Sequence, residues 1–127
     1  MRRVLLAMLL MTGPALAGPC DALGGHEMVR AELLFGRTHV SNADWADYLR
    51  RSVTPRFPDG LTALDGRGQW RNPAGGEISR EGSSVLIILA PAAADLKARL
   101  DAVRADYKMR FHQLSVGLVT STACADF

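Results

Sequence analysis

A chain of 127 residues, 48% hydrophobic and 22% charged, is long enough for one domain with its own core and too short for two. Its net charge of +2 resides in the first seventeen residues, which carry Arg2 and Arg3; the remainder sets thirteen basic residues against thirteen acidic ones. A neutral body excludes the broad electrostatic footprint of a nucleic-acid-binding or anionic-membrane-binding protein.

Met1–Ala17 reads as a secretory signal peptide, with a charged start, an apolar run from Val4 to Met11 and a small-x-small cleavage site at Ala15-Leu16-Ala17. The run is too short to cross a bilayer, so no membrane span is expected after cleavage. Pro19 before Cys20 argues against a lipoprotein signal. Residues 18–127 are therefore expected as a single exported domain, periplasmic or secreted. Cys20 and Cys124 lie near its two ends, and in an oxidising compartment they are expected to pair. Closing a loop of roughly a hundred residues stabilises a fold by up to ~4–5 kcal/mol on the chain-entropy model.

Along the mature chain, Gly18 to Glu27 has no apolar period and reads as an irregular lead-in. From Val29 to Phe35 the residues alternate, Val29, Ala31, Leu33 and Phe35 against Arg30, Glu32 and Leu34, which predicts a strand stopped at Gly36. Ser41 with Asp44 three residues on is an N-terminal helix cap. Trp45, Tyr48, Leu49 and Ser52/Val53 then form a two-turn apolar stripe. Thr54-Pro55 ends that helix, and proline is expected to push Thr54 into an extended conformation.

Phe57-Pro58-Asp59-Gly60 is a turn. Leu61–Arg71 reads as a long strand, in which Gly66 and Gly68 suggest a bulge or the close approach of another backbone or a ligand. Asn72-Pro73-Ala74-Gly75-Gly76 turns the chain back, Glu77–Gly82 is polar, and Ser83–Leu89 is a strand apolar on both faces, hence expected to be covered on both. Pro91 opens a second helix with Leu96, Leu100, Val103, Tyr107 and Phe111 on one side, and with Asp95/Arg99 and Asp106/Arg110 as i, i+4 ion pairs. Leu114–Thr122 is a final strand.

The order strand, helix, strand, strand, helix, strand predicts an α+β domain of ferredoxin-like βαββαβ type, a four-stranded antiparallel sheet with two helices on one face. In that topology the end of the fourth strand lies beside the start of the first. Cys124 and Cys20 would then be neighbours, so disulfide and topology support each other.

The segments Glu32–Gly36, Val53–Thr62 (V-T-P-R-F-P-D-G-L-T) and Gly68-Gln69-Trp70-Arg71 resemble a family of small exported bacterial proteins grouped under a domain of unknown function. Arg80-Glu81, Tyr107–Phe111 and the late Cys124 fit the same family, so the resemblance spans essentially the whole mature chain. It implies no activity and no catalytic residues.

The residues that carry chemistry follow from placement. Glu32 sits mid-strand among apolar neighbours, where an ionised carboxylate requires a partner; Gln69 and Arg71 alternate onto one face of the second strand and are expected to approach it. Arg37, Trp70, Arg71, Arg80 and Glu81 are expected at one end of the sheet, where arginines beside an aromatic would suit an anion. Pro55, Arg56, Pro58, Asp59 and Gly60 belong to the opposite end, with Arg56 holding the fold through a carboxylate or turn carbonyls. His26, His39 and His112 lack metal-ligand spacing, and no G-x-S-x-G or phosphate-cradling glycine loop occurs, so neither metal nor cofactor is expected. Two functions remain open: a small, anionic ligand bound on the sheet by Glu32, Arg37, Gln69, Trp70, Arg71 and Glu81, with Glu32 or Glu81 as general base if catalytic, or a homo-oligomeric structural or protein-interaction module of the cell envelope, without enzymatic activity, that pairs with a second copy through the open sheet face.

Overall fold

The computed structural model describes residue 18 and residues 20–127, so the expected leader Met1–Ala17 lies outside the described residues. The elements are β1 (His26–Gly36), α1 (Asn42–Tyr48), β2 (Thr62–Arg71), β3 (Ile78–Ala90), α2 (Leu96–Phe111) and β4 (Gly117–Ala125). The four strands form one antiparallel sheet in the order β2-β3-β1-β4, with α1 and α2 packed on one face, the ferredoxin-like arrangement. Glu27 of β1 is level with Cys124 of β4, and Cys124 is bonded to Cys20 across a sequence separation of 104.

Alternation fixes which face is buried. Ala31, Leu33 and Phe35 of β1 join Leu86 and Ile88 of β3 under the helices, all at most 1% exposed. Beneath α1 and α2 these residues meet an aromatic cluster in which Phe35, Trp45, Tyr48 and Tyr107 lie with ring centroids 4.7–6.0 Å apart. Both tyrosine hydroxyls are satisfied inside, Tyr48 donating to the Val103 carbonyl at 2.8 Å and Tyr107 to the Gly36 carbonyl at 2.6 Å. Burial pushes the Tyr48 hydroxyl well above its ordinary range, so this cluster stays neutral.

Helix α1 opens on a full capping box: Asp44 N–H donates to Ser41 Oγ at 3.1 Å, and Ser41 N–H donates back to Asp44 Oδ2 at 3.3 Å. It ends earlier than its apolar stripe predicts. At Leu49 the coil widens into a single π-type turn to Val53, with Thr54 N–H donating to the Leu49 carbonyl at 2.8 Å. Thr54 keeps helical dihedrals (φ −54°, ψ −42°) directly before Pro55, so the expected extended exit does not occur. The widened turn gives the proline ring room that a regular α-turn would deny it.

Other boundaries move as well: β1 starts at His26, within the expected irregular lead-in, and β4 runs on past Thr122 to Ala125, because His26–Met28 pair with Ala123–Ala125. Strand β3 starts at Ile78, because the polar stretch before Ser83 pairs with β2 throughout. Helix α2 starts at Leu96, since Pro91–Asp95 is spent on a turn in which Leu96 N–H donates to the Ala93 carbonyl at 3.1 Å. Strand β4 begins at Gly117, because His112 takes a left-handed conformation (φ 53°) that ends α2 and leaves Gln113–Val116 as a connector. The register of β2 on β3 runs unbroken through Gly66 and Gly68, so neither makes a bulge.

Within α2, Asp95 pairs with Arg99 at 3.1 Å as expected, but Asp106 and Arg110 do not pair with each other. Asp106 takes Arg56 at 3.0 Å, and Arg110 reaches Asp47 at 2.8 Å. Asp47 also accepts from Arg50 and Arg51, so three guanidiniums hold its carboxyl far below the usual carboxylate range. A depressed carboxyl contributes stability above its unfolded value of about 3.9 and loses it as pH falls towards the folded value. Asp47→Asn is therefore expected to flatten the melting temperature's fall below about pH 4, while an acid limb identical to wild type would show the cluster to be fully screened.

Candidate functional site

The end of β1 organises the site. The β1–β3 ladder stops where Gly36 meets Ser83, and Arg37 N–H closes it on the Gly82 carbonyl at 2.9 Å. Strands β2 and β3 run on together to Arg71 and Ile78, making a two-stranded arm that extends past the rest of the sheet. Beyond Ser83 the arm has lost its third strand, and nearly every residue on it is exposed.

On the helix-free face a groove of about 360 Å³ crosses the base of this arm. Gly36, Gly68, Ser83 and Gly117 form its floor, Leu34, Val85 and Leu114 its apolar side, and Trp70 stands at its outer edge. Glu81 is the one titratable side chain lining it. That carboxylate is anchored: Thr38 N–H donates to Glu81 Oε2 at 2.9 Å and the Thr38 hydroxyl donates to the same oxygen. The other oxygen, Oε1, lies over Gly36, where a Cβ would fall 2.7 Å from it. A side chain at position 36 would push Glu81 Oε1 out of this place, so Gly36 lets the carboxylate sit there.

Gly68 is different. A Cβ there would meet Ser83 Cβ at 3.4 Å, an ordinary contact, so no described residue requires a glycine at that position. Glycine weakens a strand, and its presence here leaves the groove floor flat.

The six candidate ligand residues do not converge. Arg37 is turned to the helix side and is 8% exposed; it donates to Ser84 Oγ and Asn42 Oδ1, both at 2.9 Å, and lies 5.1 Å from the centre of the Trp45 ring. Ser84, fully buried, relays this to Asp65 at 3.1 Å. Gln69 and Arg71 alternate onto the same side of the ladder as Asp65, whereas Glu32, level with Ile87, belongs to the bare face and pairs with Arg30 at 2.8 Å. The expected approach of Gln69 and Arg71 to Glu32 is not met, because register places them both far along the sheet and on its other side. Trp70 and Glu81 do come together, Gln69 also lines the groove although it alternates to the other side, and Ser83, Gly68 and Gln113, none of them among the expected ligand residues, join them. The signal for Gly68 is the strand glycine itself, which suggests the close approach of a ligand once a bulge is excluded.

At the other end of the sheet, Arg56 donates to the Ser52 carbonyl at 2.6 Å and pairs with Asp106. Phe57 is buried against Arg99, whose guanidinium lies 5.0 Å from its ring centre, and Gly60 takes a φ of 144° that favours glycine. Pro55, Pro58 and Asp59 sit exposed around this turn. Among the described residues, no three His, Cys, Asp or Glu side chains are placed to hold a metal ion, and no helix is long and apolar enough to cross a membrane.

These features define the chain as a ferredoxin-like α+β domain with one uncovered sheet face. Residues 30–127 match the family described as Protein of unknown function (DUF3574), and the chain belongs to it. No curated protein sequence matches the chain. Among solved structures, a phage SAM lyase in complex with S-methyl-5'-thioadenosine superposes with a TM-score of 0.58 at 16% identity, over 77% of this chain and 90% of the other. CutA from Synechococcus elongatus gives a TM-score of 0.54 at 14% identity, over 80% and 82%, and its complex with Bis-Tris gives 0.53 at 12%, over 80% and 87%. At these identities the likeness is one of fold.

The different settings of Arg37 and Arg71 have measurable consequences. Arg37→Ala removes a buried guanidinium that bonds the fully buried Ser84 and packs on the Trp45 ring, and is expected to cost about 2 kcal/mol in urea unfolding, whereas Arg71→Ala, exposed on the arm, is expected to stay within about 0.5 kcal/mol of wild type. Equal costs for the two would contradict the assignment of Arg37 to the fold.

Proposed function

We propose that this protein is an exported domain that binds a small molecule in the groove at the base of the β2–β3 arm. The observation that carries the reading is Gly68, a mid-strand glycine that none of the described residues requires, set in the floor between Trp70 and Glu81. A volume of about 360 Å³ with mostly apolar walls and a few polar groups is the usual character of such sites. Export is supported by the Cys20–Cys124 disulfide, which an oxidising compartment preserves. Arg37 is committed to the fold and Arg71 lies outside the groove, so a ligand seated here meets one carboxylate and neither of the arginines expected to bind an anion.

The experiment is native mass spectrometry of the gently purified mature protein beside its Gly68→Val variant. A side chain at 68 has room against Ser83 and valine suits a strand, so the variant is expected to fold with an unchanged melting temperature. The wild type is expected to carry an additional mass per subunit that the variant lacks. Retention of that mass by Gly68→Val would place the ligand elsewhere and sink the reading.

A second reading rests on a separate observation. Next to the groove the bare face presents Leu34, Leu64 and Val119, 45–53% exposed, around the half-buried Val85, Ile87 and Leu89. The expectation that Val85–Leu89 would be covered on both faces is met only on the helix side. An apolar face of this kind, interrupted only by the Arg30–Glu32 pair between Ile87 and Val119, suits a second copy of the chain. Leu34→Glu is expected to convert a dimer to monomer in light scattering; an unaltered oligomer, or a wild type that is monomeric at every concentration, would rule that assembly out.

A further inference from the structure

We propose that the groove selects a small organic cation, an ammonium bearing a flat apolar substituent, with Glu81 and Trp70 as its recognition pair. The inference rests on the reading of the groove as a ligand site and adds the chemical class of the ligand.

Three observations carry it. Glu81 is held by two hydrogen bonds from Thr38 to a single oxygen, so the carboxylate is fixed in orientation before any ligand arrives. Its second oxygen, Oε1, has no hydrogen-bond partner among the described residues and stands over Gly36, where the missing Cβ leaves it approachable from the bare face. A fixed carboxylate oxygen with spare acceptor capacity favours an N–H donor or a positive charge. Trp70 supplies the second element. It is 37% exposed, stands beside the groove on an arm with little else to cover it, and makes no aromatic or cation contact among the described residues. An indole face next to a carboxylate is the arrangement that recognises ammonium groups, the ring through its quadrupole and the carboxylate through charge.

The flat substituent follows from the floor. Gly68 strips a side chain from β2, and the small Ser83 of β3 lies between it and Gly36, so a planar group can lie over Gly68 and Ser83 between Trp70 and Leu34. Arg67 and Arg80 of the arm do not neutralise Glu81. They alternate to the other side of the ladder, opposite Gly82 and Gln69 respectively, so the groove keeps a negative character although the arm is basic overall.

The test is a titration of the isotope-labelled mature protein by nuclear magnetic resonance with three probes of similar size: benzyltrimethylammonium, benzyl alcohol and benzoate. The cation is expected to shift the Trp70 indole and the Gly36 and Gly68 amides saturably, with affinity about tenfold above that of the alcohol, and benzoate is expected to leave them in place. Glu81→Gln keeps an acceptor for Thr38 and is expected to bring the cation down to the affinity of the alcohol, whereas Gly68→Val should exclude both. Benzoate binding as tightly as the cation, or cation binding untouched by Glu81→Gln, would overturn the choice of ligand class while leaving the groove as a binding site. Silence of those three signals to all probes would remove both the ligand class and the groove.

Discussion

At the end of β1 two constraints meet on one residue. On the helix side the Gly36 carbonyl accepts the Tyr107 hydroxyl at 2.6 Å, tying α2 to the sheet. On the bare side the Glu81 carboxylate fills the space a Cβ at position 36 would need. Burial pushes the Tyr107 hydroxyl up to about 12, so it remains a donor across the physiological range. The next two residues extend the junction: Arg37 turns into the core beside Trp45, and Thr38 anchors Glu81. Core packing and groove geometry are therefore set by the same three consecutive residues, and a carboxylate placed this way owes its orientation to the fold rather than to a ligand.

The arm explains why cations that are close in sequence do different things. Within the body of the sheet a side chain on the helix face is buried and must find partners, which is why Arg37 lies among Ser84, Asn42 and the Trp45 ring. Past Ser83 the third strand is gone, and the same alternation puts Arg67, Arg71 and Arg80 into solvent, where a charge costs nothing to leave unpaired. The arginine cluster expected at one end of the sheet, Arg37, Arg71 and Arg80, thus separates into one structural residue and two solvated ones.

Much of the fold was legible because its signals are local and repetitive. Alternation from Val29 to Phe35, the Ser41/Asp44 cap and the four-three-four-four spacing from Leu96 to Phe111 each report a buried face, and burial is what periodicity records. The cysteines added a long-range constraint that agreed with the topology. The arm was not legible in the same way. A strand solvated on both sides has no face to bury, so Ile78–Gly82 looks like loop although its backbone is fully laddered. Of the site, Trp70 and Glu81 were visible as residues at the correct end of the sheet, but which face each occupies depends on register, and composition carries no register. Arg56 could be placed with the fold because a turn rich in proline and glycine needs a tether; that its carboxylate would be Asp106 of α2 depended on how the helix lies across the turn.

The groove and the apolar face beside it are continuous, and this links the two functional readings physically. Leu34 and Val85 belong to both, lining the groove on one side and the exposed patch on the other. A second sheet laid over Leu34, Leu64 and Val119 would wall the groove from above and exclude water from Glu81. In the lower dielectric that results, the attraction between a carboxylate and a cation strengthens, while an empty groove would leave the carboxylate desolvated without a partner. Ligand and assembly would then favour each other reciprocally, since whatever the cation gains from the covering subunit, the subunit gains from the cation.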